Sequence, residues 1–291
     1  MKKFSVAFIN LLSQAINRLP IPVQMAIGDF FGIVWFDILR VRRDVALENL
    51  RNCFPDWSEE KRVVTARKSV CHLGRSFVEF LRLPAAELDD YADHFDVHGL
   101  DNIRNAQKRG KGVFLLVSHI GNGDWATVAF ALNSLRLASI TKEFKWHALN
   151  EFWFHIRQRF GLDLIPDRKS SLTILKKLKQ NELVGFVLDQ FLGPPIGIKT
   201  KFFGRDTGTP MGLAVLVERS RASVIPALTY RLADGRTAVV FEPEIPFVDT
   251  GDKERNIQVN TQRYCDKIEE WVREHPEQWM WVHRRWKEFR Y

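Results

Sequence analysis

Apolar positions along this chain alternate between two kinds of run. Short continuous stretches at 95–98, 113–117, 137–140, 162–165, 183–188, 223–230 and 237–242 read as buried strands. Stretches with helical spacing fall between or after them, at 100–107, 125–134, 147–160, 171–179, 210–220 and 255–274. Strand–helix alternation predicts an α/β fold: a mostly parallel central sheet with helices on both faces. Upstream, Asp56 to Glu60 carries N-cap chemistry before a long helix with Val63, Val70, Leu73, Phe77 and Phe80 inward, stopped by Pro84. No internal repeat or linker breaks the chain, so the body is one domain with an N-terminal helical appendage.

That appendage is amphipathic. Phe4, Phe8, Leu11, Leu12, Ala15 and Leu19 fall on one helical face, opposite Asn10, Ser13, Gln14 and Asn17. The pattern fits a helix lying in a membrane interface, and equally one packed on the protein's own core. Arg18, Pro20 and Pro22 interrupt the first apolar run, and Asp29 and Asp37 the second, so neither reads as the roughly 18 residues of a span. No small-residue cleavage site follows, so a secretory signal is not expected. Gly28 and Gly32 have the spacing of a helix-packing contact.

Charge changes the picture. With 43 basic and 35 acidic residues the chain carries +8, which favours an anionic partner: nucleic acid, anionic lipid or a phosphorylated substrate. Residues 1–43 hold Lys2, Lys3, Arg18, Arg40, Arg42 and Arg43 against Asp29 and Asp37, which tilts the appendage towards a membrane surface. Cys53, Cys71 and Cys265 are odd in number and widely spaced, so a reducing compartment is favoured over a disulfide framework.

The candidate chemistry centres on Ser118-His119-Ile120-Gly121-Asn122-Gly123-Asp124, between the apolar run 113–117 and a helix start. Along a straight strand His119 and Asp124 would lie roughly 16 Å apart, and in a helix roughly 140° apart around the axis. They meet only if the chain folds back, which Gly121 and Gly123 permit. A carboxylate on imidazole Nδ1–H would then leave Nε2 as a general base. The plainer alternative is that Asp124 or Asn122 caps the helix and His119 simply ends a strand. His119 and Asp189 both fall at strand carboxyl ends, the ligand edge of a parallel sheet.

Other constellations carry two readings each. His94, Asp96 and His98 alternate as metal ligands would, or as an exposed polar strand face, and no metal is expected. Segment 143–160 holds Phe144, Trp146, Phe152, Trp153, Phe154 and Phe160, a greasy ligand wall, membrane contact or core. Lys199, Lys201 and Arg205 around Phe202-Phe203-Gly204 suggest a cationic loop for an anionic headgroup, or a solvated loop. Trp279, Trp281, His283, Arg284, Arg285, Trp286, Lys287 and Arg290 interleave aromatics with cations, which suits single-stranded nucleic acid or an anionic membrane surface. There is no G-x-S-x-G elbow and no phosphate-binding P-loop.

Taken together, several motifs resemble a known family. His119-x4-Asp124 resembles the H-x4-D/E signature of glycerolipid acyltransferases, and residues 20–290 resemble the late acyltransferases of lipid A biosynthesis, the lauroyl/myristoyl transferases. The supporting pieces are Asn49 to Pro55; Asp189-Gln190; Phe202-Phe203-Gly204 with Thr207 and Thr209-Pro210; and Pro276-Glu277-Gln278-Trp279-x-Trp281-x-His283-Arg284-Arg285-Trp286-Lys287. The resemblance implies acyl transfer from acyl carrier protein or coenzyme A to a hydroxyl of a lipid A precursor, or alternatively of a lysophospholipid or glycolipid, without cofactor or metal. It implies residues 1–45 as membrane-interface helices and 46–291 as the catalytic domain, at the cytoplasmic face of the inner membrane, peripheral or monotopic. His119, Asp124 and Arg168 would be catalytic. Asn122, Gly123, Asp189, Gln190, Lys199, Lys201, Arg205, Thr207 and Thr209 would bind substrate. A lipid acceptor and an anionic membrane surface are the expected partners, with nucleic acid as the reading of another class and not expected.

Overall fold

Among the described residues, seven strands form the central sheet. These are β1 (Phe95–His98), β2 (Val113–Val117), β3 (Leu137–Thr141), β4 (Leu162–Pro166) and β5 (Leu183–Val187), then, beyond a separate hairpin of β6 (Gly197–Phe202) and β7 (Arg205–Pro210), β8 (Ser223–Arg231) and β9 (Thr237–Phe241). The computed structural model describes residues 3–141, 147–166 and 170–287. In space the order is β1-β9-β8-β2-β5-β3-β4, every neighbouring pair parallel except β8 with β9.

Ten helices accompany the described strands: α1 (Lys3–Asn17), α2 (Ile21–Ile33), α3 (Arg43–Cys53), α4 (Glu59–Arg82), α5 (Leu100–Gln107), α6 (Gly123–Leu132), α7 (His147–Arg159), α8 (Ser171–Lys179), α9 (Gly212–Ser220) and α10 (Lys253–Glu274). β2 shows why its sequence is continuously apolar. Phe114 and Leu116 enter a core shared with α3, α8, α9 and α10, while Val113 and Leu115 enter a second core with α5, α6 and α7. A strand buried on both faces has no polar side to alternate with. The expected α/β fold with helices on both faces is what forms.

The N-terminal helices dock with their polar sides. Ser13 Oγ and Asn17 Nδ2 donate to the Arg82 carbonyl at 2.7 and 3.0 Å, while Phe8 and Leu11 stay 65% and 63% exposed. Helix α2 lies on α4 at backbone contact: a Cβ on Gly28 would meet the Arg75 backbone at 2.5 Å, and one on Gly74 would strike the Gly28 carbonyl. Here the Gly28–Gly32 spacing is a packing contact. Asp29 and Asp37, which had seemed to break the second apolar run, do not end it. Asp29 takes a two-pronged bond from Arg75 at 2.6 and 2.7 Å, and Asp37 binds Arg67 at 2.6 Å. Ile21–Leu39 is therefore 19 helical residues, long and apolar enough by length and composition to cross a membrane. Phe30, Phe31, Ile33, Ile38 and Leu39 on its outer side are exposed.

Three expectations need correction. Phe77 of α4 is 53% exposed and meets Phe31 edge-on; Val70 does point inward, together with Ala66 and Val78. The cationic stretch at 199–205 is not a loop but β6, β7 and their turn, with Phe203 and Gly204 both at positive φ, as a two-residue hairpin turn requires. Thr200 and Phe202 face inward and Lys199 and Lys201 outward, a period of two that threonine disguised. Finally, the aromatic–cationic tail is largely interior. Trp279, Trp281 and Arg285 are 1% or less exposed, so they cannot serve as a nucleic-acid or membrane surface.

Candidate active site

The central register delivers the site. Val117 of β2 pairs with Val187 of β5, and two residues farther on each chain stand His119 and Asp189, level across parallel strands that lie about 4.8 Å apart. His119 Nδ1 and Asp189 Oδ1 are 2.7 Å apart. Asp189 Oδ2 accepts from the His119 backbone N–H at 2.7 Å and from Trp279 Nε1–H at 2.8 Å. A carboxylate has only acceptors, so Nδ1 carries a proton, and in the neutral imidazole Nε2 is the bare nitrogen. Gln190 Nε2 lies 3.4 Å from His119 Nε2.

The two partners sit in different environments: the His119 side chain is 39% exposed and that of Asp189 1%. Burial works against an imidazolium, but the charge and hydrogen bond of Asp189, with a smaller contribution from Asp124, leave the His119 pKa raised. Burial also penalises the Asp189 anion. The His119 charge and the three donors outweigh it and hold this carboxyl below the ordinary range.

The carboxylate on Nδ1 is thus Asp189 and not Asp124, because the turn between His119 and Asp124 does not bring the latter back. Gly121 takes φ +65° with its missing Cβ 2.5 Å from the Thr229 carbonyl. Asn122 then caps α6, its Oδ1 accepting from the N–H groups of Asp124 and Trp125 at 3.1 and 3.2 Å. Those two N–H groups are spent on the cap and not offered to a substrate oxyanion. Asp124 falls in the first turn of α6, where Oδ1 accepts from Arg157 Nε of α7 at 2.6 Å and from Trp153 Nε1 at 3.4 Å. Arg157 also reaches Thr141 Oγ1 at 3.3 Å and lies over the Trp153 ring at 4.6 Å.

Other candidate residues scatter. Asn122 is buried, and its Nδ2 donates to the Ser76 carbonyl and to Glu79 Oε2 at 3.1 and 2.8 Å. Gly123 opens α6 with ordinary backbone, and a Cβ there would meet nothing within 4 Å. Gly121→Ala is therefore expected to lower both activity and stability, and Gly123→Ala to change both little; thermal melts with matched activity assays check the pair. Thr207 Oγ1 donates to the Arg285 carbonyl at 2.7 Å, and Thr209 Oγ1 accepts from Arg285 Nη2 at 2.6 Å. Lys199 pairs with Asp206 at 2.6 Å across the hairpin, and the Lys201 backbone is bound by Gln262 of α10. These groups build the hairpin and its seat; Arg205 is exposed. Arg168 lies outside the described residues, as do Phe144, Trp146 and Arg290 and the side chain of Phe4.

The tail joins the site to the rest. Trp279 pairs by backbone with Ile120, next to His119, and Arg285 Nη1 donates to the Gln190 carbonyl at 3.0 Å. His283 Nε2 accepts from the Phe191 N–H at 3.1 Å, and burial lowers its pKa to about 4, so it serves as a neutral acceptor. The His94–Asp96–His98 pattern dissolves. His94 packs on Tyr91 and Trp125 beside Arg82, and Asp96 pairs with His98 at 2.8 Å. Among the described residues no group of three or more potential ligands could hold a metal.

A partly exposed imidazole with a buried carboxylate on Nδ1–H is equipped, in its neutral form, to take a proton from an alcohol and return it to a leaving group. Comparisons with known proteins agree in kind. The family model described as bacterial lipid A biosynthesis acyltransferase matches residues 2–288. The chain is 28% identical over 273 residues to a lipid A biosynthesis palmitoleoyltransferase of Escherichia coli strain K12, covering 93% of this chain and 87% of that one. It is 24% identical over 279 residues to the lipid A biosynthesis lauroyltransferase of the same strain, with the same coverages. A phosphatidylinositol mannoside acyltransferase of Mycolicibacterium smegmatis is 24% identical over 224 residues, 76% of this chain and 71% of that one. This chain belongs to the bacterial lipid A biosynthesis acyltransferase family and is an acyltransferase.

Proposed function

We propose that the protein moves a fatty acyl chain from the thioester of acyl carrier protein or coenzyme A to a hydroxyl of a lipid A precursor at the membrane surface. The observation that carries this reading is the His119–Asp189 pair, which holds Nδ1–H and leaves Nε2 to act as the base in the neutral imidazole. In the proposed reaction Nε2 takes the proton of the acceptor hydroxyl as its oxygen attacks the thioester carbonyl. The tetrahedral intermediate then expels the thiolate, which recovers the proton from Nε2–H. Asp189 steadies the imidazolium in between. The thioester is already activated, so neither an acyl-enzyme nor a cofactor is needed. Developing negative charge on the thioester oxygen requires donors; we assign that role to Arg168 from the family resemblance and, as a second donor, to Arg157, which Asp124 anchors. Lys201 and Arg205, on the outer side of the hairpin, are proposed to meet an anionic headgroup.

In this reading residues 1–45 are the membrane-facing part and 46–291 the catalytic body, peripheral on the cytoplasmic face of the inner membrane. What supports it is the inverted amphipathicity of α1 and α2, whose polar sides hold α4 while Phe8, Leu11, Phe30 and Phe31 face outward. A second acceptor class is kept by the match to phosphatidylinositol mannoside acyltransferases: a glycolipid in place of the lipid A precursor.

The test is acyl transfer by the purified protein from acyl carrier protein and coenzyme A thioesters, with acceptors in vesicles or dispersed in detergent, read by lipid mass spectrometry. Transfer to the lipid A precursor, lost in His119→Ala, is the expected result. Transfer only to a glycolipid would replace the acceptor, and undiminished transfer by His119→Ala would overturn the mechanism. Phe8→Glu with Leu11→Glu is expected to cut transfer at least about tenfold in vesicles and to leave it within about twofold in detergent. Equal rates in vesicles for this variant and the unchanged protein would remove α1 from the membrane surface.

A further inference from the structure

Asp189 accepts three hydrogen bonds while its side chain is 1% exposed. A buried carboxylate needs such donors, but the arrangement also divides its two oxygens. Oδ2 is held by the His119 backbone N–H and by the Trp279 indole N–H, and this fixes rotation about Cβ–Cγ so that Oδ1 faces Nδ1. We infer that Trp279 is a positioning residue for acyl transfer, its indole N–H acting on His119 through Asp189. The inference rests on the reading of His119 as the base.

Trp279 is itself immobile. It is 1% exposed, its backbone bridges Ile120, and its ring meets Trp281 at 4.6 Å and Phe202 at 5.7 Å. Phenylalanine could fill much of that volume. What it could not supply is the N–H. The donor on Oδ2 draws charge from the carboxylate and so limits how tightly Oδ1 holds the Nδ1 proton. Without it Asp189 becomes the stronger base, His119 holds a second proton more firmly, and less of the enzyme carries free Nε2 at neutral pH.

Among the described residues, the charged or titratable side chains on α6 and the tail nearest the pair have other partners. On α6 Asp124 is tied to Arg157 of α7. On the tail His283 is occupied by the Phe191 N–H, and Arg285 by the Gln190 and Gly208 carbonyls and the Thr209 hydroxyl. Replacing the indole N–H leaves all of these bonds in place, so a shift in the pH profile reports on the indole.

The test replaces Trp279 by 3-benzothienylalanine, which keeps the bicyclic shape but puts sulfur where the N–H was, alongside Trp279→Phe. For the sulfur analogue we expect kcat to fall about tenfold with KM within about twofold, and the acidic limb of kcat/KM to move to higher pH by roughly half a unit or more. Trp279→Phe, where it folds, should do the same. A folded benzothienyl protein with the limb unmoved would reduce Trp279 to packing and overturn the inference, whatever happens to its kcat. His119→Ala, run in parallel, separates the two claims: if it stays active, the base assignment fails first.

Discussion

Asp189→Asn is expected to lower kcat by about 10³- to 10⁴-fold while leaving the fold intact. The amide fills the same space but can turn its NH₂ towards Nδ1, which puts the imidazole proton on Nε2 and removes the base. It also removes the charge that raises the His119 pKa, so the acidic limb of whatever kcat/KM remains should move to lower pH, the opposite direction to loss of the Trp279 donor. Asp124→Asn should behave differently, because Asp124 binds Arg157 and touches His119 only through its field. Its loss should match that of Arg157→Gln, and the double variant should be little worse than either, as for two residues that act as one unit. Combined with Asp189→Asn, the Asp124 change should multiply. A folded Asp189→Asn protein turning over within about threefold of the unchanged enzyme would remove Asp189 from the mechanism.

How much of this was legible in the sequence depends on which distances the fold closes. The seven strands of the central sheet, the helices between them and the ligand edge followed from local periodicity, while β6 and β7 did not; β2 and α8 fall where their apolar runs place them. Within the site, His119 and Asp189 were both visible at strand ends, but their bond spans 70 residues and depends on β5 being the neighbour of β2. Strand order is not a local property. The nearer carboxylate, Asp124, satisfied the spacing argument, yet a residue in the first turn of a helix is committed to the far side of the turn that His119 precedes. Two apolar runs, 113–117 and 183–188, leading into His119 and Asp189 were the available signal. Arg157 had none: within an aromatic stretch it reads as a solvated charge until α7 is laid over Asp124. In the tail, composition misled because aromatic and cationic residues describe a binding surface and a hydrogen-bonded interior equally well.

The largest loss of stability is expected away from the chemistry, at Glu79 and Arg231. Their side chains are 2% and 3% exposed, and Arg231 Nη2 lies 2.7 Å from each Glu79 oxygen, with Nε 3.1 Å from Oε1. Arg231 Nη1 also donates to His72 Nδ1, and burial followed by the Arg231 charge pushes that imidazole's pKa down to about 2, keeping it a neutral acceptor. Glu79 Oε2 accepts from Asn122, the cap of α6, and the Arg231 backbone is bracketed by Gln278 at 2.8 and 2.9 Å. One buried ion pair therefore ties α4, the turn after His119 and the start of the tail. Glu79→Gln leaves the guanidinium uncompensated in a dry interior, which costs about 3–5 kcal/mol, or a fall in Tm on the order of 10 °C for a chain of this size. Removing both charges should cost less than removing one. Glu79→Leu with Arg231→Met abolishes the unpaired ion, and Asn122 keeps its bond to the Ser76 carbonyl. The double variant is accordingly expected to melt above Glu79→Gln, yet to turn over more slowly than the unchanged enzyme because the α6 cap has lost its Glu79 partner. Calorimetry and denaturant titration of the single and double variants check the ordering. A Glu79→Gln protein within about 0.5 kcal/mol of the unchanged one would mean that the pair carries no net weight in holding the turn.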